Sequence, residues 1–499
     1  MELQFNKSSL SCLQRVACEV QNQEQTQEVR ISDGMPDIGK VLGAWGQALI
    51  RGKEWRTGGA NVSGGVMVWI LYTPEGGGEP QCVETWIPFQ MKWDFPETRQ
   101  DGTVTAACLL RNVDARSISA RKLMARAGIS VLAEIYAPDE VELCQPGALP
   151  EDVCVLKKSY PMCLPKEAGE KPFALDEELT LPGSCPGIGK LIRFEIQPEI
   201  LDQKVMAGRV VFRGAAIVHI VYQGEDGRFH SWDFEVPFSQ FAELERDYDQ
   251  DATVRVLSAA TSLELELAEE GRLHLKAGLT GQYVIYDRPT VELVEDAYSP
   301  NRTVVPQIQE LRLPAVLDTC TQMLHAEQTA EADGTQVADV TFYPDHPRRS
   351  YASDEVTLEV PGVFQMLYYD REGNLQGQNA RWEGSWSLNA DSSSDVNAAA
   401  WPSGRPQAAL GGGTASFRGD ARVEVVTTQQ QGLPMVTALE LGEKMEPDPG
   451  RPSLVLRRAT KDGLWDLAKR SGSTVEAIQK ANHLQGEPEE GQILLIPVS

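Results

Sequence analysis

The chain repeats itself at a spacing of about 150 residues, and this restricts its fold more than any other feature, because a duplicated segment must form a unit that can be built twice. Glu28-Val-Arg-Ile31 matches Glu178-Leu-Thr-Leu181, and Pro36-Asp-Ile-Gly-Lys40 matches Pro186-Gly-Ile-Gly-Lys190. Gly64-Gly-Val-Met-Val-Trp-Ile-Leu-Tyr72 matches Gly214-Ala-Ala-Ile-Val-His-Ile-Val-Tyr222. Trp86-Ile-Pro-Phe89 matches Glu235-Val-Pro-Phe238, one residue out of step, and Lys122 to Ser130 matches Arg272 to Thr280. The matches keep their order across a whole unit. A third, degenerate copy is visible in Val356-Thr-Leu-Glu-Val360, Gly362, Val363 to Tyr369, the turn Asp370-Arg-Glu-Gly373 and the late segment Leu433 to Leu441. Within it, Ser387 to Gly413 is small, polar and rich in Gly and Pro, and is read as a loop or locally disordered insert outside the core.

The repeated segments have the signature of strands. Val66 to Tyr72 and Ala215 to Tyr222 are β-branched and aromatic between turn formers. Thr261 to Leu267 alternates apolar and polar residues with the period of a half-buried strand. Glu225-Asp-Gly227 and Glu372-Gly-Asn374 supply the residues that hairpin turns require. Ser117 to Ala127 resembles a helix in isolation, but its duplicate is strand-turn-strand, so both are assigned to β. The expected fold class is mainly β: tandem β-rich repeats followed by a small β-α-α-β domain.

At 499 residues the chain exceeds what one hydrophobic core normally organises, so several domains are expected. No stretch approaches the roughly 18 to 20 apolar residues of a membrane-spanning helix. The start, Met1 to Val16, has no basic segment leading into an apolar run, so a cytoplasmic location is expected. A net charge of −26 argues against a nucleic-acid partner, which needs a clustered basic face. The nine cysteines show no C-x-x-C pair and the six histidines do not cluster, so reduced buried thiols are expected rather than a metal site.

Catalytic patterns are missing. The Ile-Gly-Lys segments superficially resemble a phosphate loop, but Val41 and Leu191 stand where Ser or Thr would hold magnesium, and no helix follows. They read as turns entering strands. There is no G-x-S-x-G elbow, H-E-x-x-H helix or kinase motif set. The expectation is a protein without enzymatic activity, cofactor or metal.

From Ser453 the pattern changes, and basic residues come to balance acidic ones. Leu454-Val-Leu456 forms a short strand, and Asp462 caps a helix over Leu464 to Arg470 in which Leu464, Leu467 and Ala468 share a face. Ser473 with Glu476 forms a capping box for a second helix, Thr474 to Asn482, with Val475 and Ile478 facing the core. Gly491 to Pro497 is a closing strand. Asp462-x-Leu-Trp-x-Leu-Ala-Lys469, Thr474-Val-Glu-Ala-Ile-x-x-Ala-Asn482, Leu484 and Gly491-Gln-x-Leu-x-Ile-Pro497 make this segment resemble a LysM domain. The resemblance implies a groove, used in that family for N-acetylglucosamine chains, near Asp462, Gly463, Leu464, Asn482, His483, Leu484 and Gln485. Where most members read Gly-Asp-Thr-Leu, this chain has Lys461-Asp-Gly-Leu464.

The Pro-x-Ile-Gly-Lys turn, the Gly-to-Tyr strand and the acidic-Gly hairpin resemble SPOCS domains. Tandem SPOCS units ending in LysM are similar to the SipL type of clostridial spore coat morphogenetic protein. The resemblance implies repeats at residues 1–148, 149–300 and 301–446 and a LysM domain at 451–499. It further implies a scaffold in the mother cell, at the forespore surface, that binds a coat-basement ATPase partly through LysM. The alternative it leaves open is a protein that binds peptidoglycan glycan chains of the wall or spore cortex.

Overall fold

The computed structural model describes residues 2–96, 99–249, 251–268, 271–390, 392–445, 452–461 and 463–498. A short β1 (Glu2–Gln4) precedes the first repeat, which comprises β2 (Asn6–Arg30), β3 (Ile38–Arg56), β4 (Gly59–Pro74), β5 (Gln81–Asp94), β6 (Thr103–Ser119) and β7 (Lys122–Gln145). These strands form two antiparallel sheets, β3-β4-β5 and β2-β7-β6, that face each other across one apolar core. After β8 (Cys154–Pro161), the second repeat comprises β9 (Leu164–Leu179), β10 (Ile188–Met206), β11 (Arg209–Gly224), β12 (Phe229–Glu243), β13 (Thr253–Leu267) and β14 (Leu273–Asp287). Its sheets, β10-β11-β12 and β13-β14-β9, have the same topology.

The duplication extends to the irregularities. β3 and β4 slip register after Ile38, Val41 and Ile50, and β10 and β11 slip after Ile188, Leu191 and Ile200. Bulges are built-in bends, and their recurrence 150 positions later means that backbone shape, not merely strand content, was duplicated. Pro36-Asp-Ile-Gly-Lys40 is a turn entering β3, and its glycine is required by close approach: a Cβ on Gly39 would stand 2.7 Å from the Pro74 carbonyl oxygen. Ser117 to Ala127 is strand-turn-strand, as its duplicate indicated.

After β15 (Thr290–Tyr298), the third repeat comprises β16 (Arg302–Glu331), β17 (Gly334–Pro344), β18 (Arg348–Ala352), β19 (Glu355–Asp370), β20 (Leu375–Asn389), β21 (Asp395–Gly411) and β22 (Thr414–Lys444). It keeps the arrangement, with β17 and β18 dividing the role of β3: both pair with β19. One expectation is corrected here. Ser387 to Gly413 is not a loop outside the core, because its first residues finish β20 and Asp395–Gly411 is a full strand paired with β22. Val396, Ala399 and Ala400 are completely buried. Alanine has weak strand propensity, but its small side chain lets β21 lie close against its neighbours, so packing overrides propensity. Pro402 and Pro406 border the register shift between Ser403 and Gln407, where their missing N–H groups cost little.

Each repeat carries a two-stranded ribbon beyond its sandwich, continuous with the long strands in the first and third repeats and made of separate short strands in the second. The start of β2 pairs with the end of β7, β8 with β15, and the start of β16 with the end of β22. All three ribbons bury Phe5, Cys12, Leu164, Leu293, Leu313 and Leu439 in a shared cluster. β1 adds to the third ribbon by pairing with β22, which ties the start of the chain to its most distant repeat. The C-terminal domain comprises β23 (Leu454–Arg458), α1 (Gly463–Ser471), α2 (Val475–Asn482) and β24 (Ile493–Pro497). Leu464, Leu467, Ala468 and Ile478 are buried against Leu494 and Ile496. The cap of α2 differs from expectation: Thr474 Oγ1 accepts from the Ala477 N–H at 3.1 Å, while the Ser473 hydroxyl is buried without a partner. A one-residue shift in the helix start moves the cap with it. Among the described residues no helix is long and apolar enough to cross a membrane.

Candidate functional site

The LysM segment is held to the repeats by one face. The indole of Trp465 on α1 meets the ring of Tyr298 edge-on, with centroids 4.7 Å apart. Trp465 Nε1 donates to Asp296 at 2.8 Å, and Lys469 Nζ reaches the same carboxylate at 2.7 Å. The Tyr298 hydroxyl donates to the Ser473 carbonyl at 3.0 Å. Tyr298 and Asp296 lie at the end of β15, so the domain is docked on the second ribbon. Burial beside Cys154 pushes the Tyr298 hydroxyl well above its ordinary range and keeps it a donor.

The expected groove residues divide into two groups. Asp462 lies outside the described residues. Leu464 is almost fully buried, and Leu484 packs against the same core. Asn482 is committed to the fold: its Nδ2 donates to the carbonyls of Ile478 and Leu495, and its Oδ1 accepts from the Leu495 N–H at 2.8 Å. These contacts fasten α2 to β24. Gly463 begins α1 at φ +84, and His483 follows α2 at φ +54, both in the left-handed region. His483 and Gln485 are exposed. Sequence reasoning missed Glu487, whose Oε2 accepts the Leu464 N–H at 2.8 Å. That places a carboxylate at the start of α1, where the helix favours negative charge. Because Glu487 accepts the Leu464 N–H, that amide in the first turn of α1 is not open to a ligand. Opposite the docked helix, Leu454, Leu456, Ile493 and Leu495 project from the outer face of β23 and β24 and are exposed.

A second constellation lies where the three repeats meet. The repeats close into a ring: β6 packs against β17, β13 against β3, and Gln197 Nε2 of β10 donates to the Pro402 carbonyl of β21. Bulge-matched positions face the middle. Gly43, Arg193 and Asp339 each follow the second slip of their repeat, as do Trp45, Glu195 and Thr341 two residues on. Identical residues there would have set like charges against one another. Instead Arg193 pairs with Asp339 and Glu195, donates to Thr341 at 2.8 Å and lies 5.0 Å over the Trp45 ring. His219 places Nδ1 2.5 Å from Asp233 and Nε2 3.0 Å from Asp339. Burial acts to lower His219, but the two carboxylates outweigh it and hold the ring charged up to about 9. Burial likewise acts to raise Asp339, and Arg193 and His219 override it to hold the carboxyl well below the usual range. For Glu195 burial prevails, and its carboxyl is raised.

A second ionic knot, buried at Arg255 and Glu134, joins the same repeats. Arg255 donates to Glu134 at 2.6 Å and approaches Glu424, while Arg15 pairs with Asp395 at 2.7 Å. Burial works to raise Glu134, but Arg255 holds it below its ordinary value. A cavity of about 390 Å3 adjoins the ring centre. His219 spends both nitrogens on carboxylates, the Ser258 hydroxyl donates to the Pro198 carbonyl, and Thr341 serves Arg193. The arrangement is an ionic clamp between repeats. Among the described residues no group of His, Cys, Asp and Glu is arranged to hold a metal.

Comparison with known families adds two matches. The family described as SipL, SPOCS domain, matches residues 187–266, which lie in the second repeat, and the LysM domain family matches residues 460–497. No curated protein and no solved structure gives a match. The chain therefore combines a SipL-type SPOCS domain with a C-terminal LysM domain, a pairing of binding or scaffold types that supports a role in sporulation and carries a peptidoglycan-binding kind of module.

Proposed function

We propose that this SPOCS-and-LysM chain is a non-enzymatic scaffold of spore coat assembly, whose LysM domain and repeats bind a coat-basement ATPase and help localise the coat around the forespore. It acts in the mother-cell cytoplasm at the forespore surface. The domain limits proposed are 1–148, 149–300 and 301–446 for the repeats and 451–499 for LysM. The observation that carries the reading is the way LysM is mounted: α1 is spent on Tyr298 and Asp296, while the groove loops and the apolar outer sheet face stay exposed. A domain fixed by one side and bare on another is suited to protein docking, since exposed apolar patches mark interaction surfaces. The occupied lip at Glu487 and Leu464 favours protein over glycan. The second reading, binding of peptidoglycan glycan chains, is favoured by the LysM match itself.

A binding comparison separates the two. The full chain is titrated with purified coat ATPase and sedimented with purified peptidoglycan, together with a variant carrying Leu456→Ser and Leu495→Ser on the exposed sheet face. The scaffold reading expects ATPase binding at least tenfold weaker in the variant and no sedimentation. Sedimentation of both chains without ATPase binding would contradict it.

A further inference from the structure

The first repeat differs from the second at one mouth of its sandwich. Where β9 passes the edge of β12, Phe173 packs against Phe212 and Phe238, with ring centroids 6.1 and 5.1 Å apart, and Leu175 is buried beside them. The mouth is plugged. The matching residues on β2, 150 positions earlier, are Gln23 and Gln25, as their pairing with Ile129 and Ala127 establishes against that of Phe173 and Leu175 with Leu279 and Ala277. Two glutamines replace the plug, and an open groove of about 760 Å3 results, within the size range of ligand sites.

Its lining joins neutral polar groups to an aromatic and a cation. Gln23, Gln25, Gln90 and Ser63 supply three amides and a hydroxyl, each able both to donate and to accept. The Gln23 Oε1 atom is buried without a hydrogen-bond partner, a cost ordinarily met by a ligand or water. Trp86 forms a shelf beside them. It is 37 % exposed, and its ring lies over Gly65, where a Cβ would stand 2.2 Å from the indole. The second repeat has Glu235 at the strand position of Trp86 and Ala215 at that of Gly65, so both shelf and floor belong to the first repeat alone of these two. The Arg51 guanidinium lies over the Trp86 ring, 5.3 Å from its centroid, in an exposed cation–π contact that an acidic ligand would draw on. Among the described residues it has no carboxylate partner, and no acid lines the groove.

We propose that this groove binds a pyranose glycan bearing carboxylates, with a sugar ring on Trp86, hydroxyls on the glutamine amides and Ser63, and an acid group on Arg51. Vicinal hydroxyls match groups that donate and accept in alternation, the C–H face of a pyranose matches an exposed indole, and Arg pairs bidentately with carboxylate. The inference goes beyond the scaffold reading and does not depend on the LysM domain.

The test uses the full chain, titrated calorimetrically with tetragalacturonate and with glycan strands of alternating N-acetylglucosamine and N-acetylmuramic acid, alongside cellotetraose and hexaglutamate. Binding of at least one acidic glycan is expected, with Trp86→Ala weakening it at least tenfold. Gly65→Ala, which the second repeat tolerates at the same position, is expected to lift the indole and weaken binding while leaving the fold intact. Arg51→Gln is expected to reduce binding of the acidic glycan to the level of cellotetraose. Failure of both acidic glycans, equal affinity for hexaglutamate, or undiminished binding by the Trp86→Ala chain would overturn the proposal. The last result would assign any glycan binding to LysM and leave that question separate.

Discussion

Raising the pH should loosen the ring of repeats through His219. In the folded chain its ring stays protonated up to about 9, against an ordinary value of 6.5. The folded state therefore holds a proton that the unfolded chain releases near 6.5. The resulting stabilisation is fully present below that pH and is lost as pH rises through about 9. At about 1.4 kcal/mol per pH unit, the rise from 6.5 to about 9 sets a ceiling of about 3 kcal/mol. Burial of the Cys18, Cys82 and Cys108 thiols adds a loss of the same sign near and above their ordinary value of 9.0, so the informative window is about pH 7 to 8.5. The assay is urea denaturation of the wild type and His219→Gln, followed by tryptophan fluorescence at half-unit steps. The wild type should lose stability steadily across the window, and His219→Gln should be nearly flat. Asp339→Asn removes the carboxylate shared by Arg193 and His219 and should cost about 3 to 5 kcal/mol at neutral pH, because the guanidinium stays buried with less compensation. An alkaline slope in His219→Gln equal to that of the wild type would refute the reasoning.

Thr474→Ala should destabilise the LysM domain by about 1 kcal/mol while Ser473→Ala is nearly neutral, because only the threonine caps α2; thermal melts of the two variants decide it. Trp465→Ala should release LysM from the second ribbon with a loss of about 3 kcal/mol, seen as faster hydrogen exchange at β15 and α1. Burial pushes Cys18, Cys82 and Cys108 up to about 12, so these thiols should stay unmodified by iodoacetamide at pH 7.5 until denaturant is added, as mass spectrometry can follow.

Much of the fold could be read from the residues because repetition exposes local rules twice. The ambiguous helix at Ser117 to Ala127 was resolved by its duplicate, and the apolar periodicity of Leu464, Leu467 and Ala468 placed α1. The strand at Asp395–Gly411 was misread because Ala, Gly and Pro signal loops when judged alone, whereas burial against β22 decides their state. The ionic clamp was not legible: Arg193, His219 and Asp339 lie far apart in sequence, and only the ring brings them together. A faint signal existed in Gly43, Arg193 and Asp339 occupying one repeat position with three different chemistries. Of the expected groove, Leu464 and Leu484 pack into the core and Asn482 fastens α2 to β24, since a motif records fold-keeping residues along with binding ones. Glu487 escaped notice because its role depends on a loop folding back over α1.

Hydrogen exchange of the full chain with and without the coat ATPase tests the scaffold account most directly. The account predicts that partner binding slows exchange in the LysM groove loops around His483 and Gln485 and in β23 and β24, while the strands of the ionic clamp are unchanged. Protection confined to the cavity at the ring centre, with LysM unaffected, would contradict it.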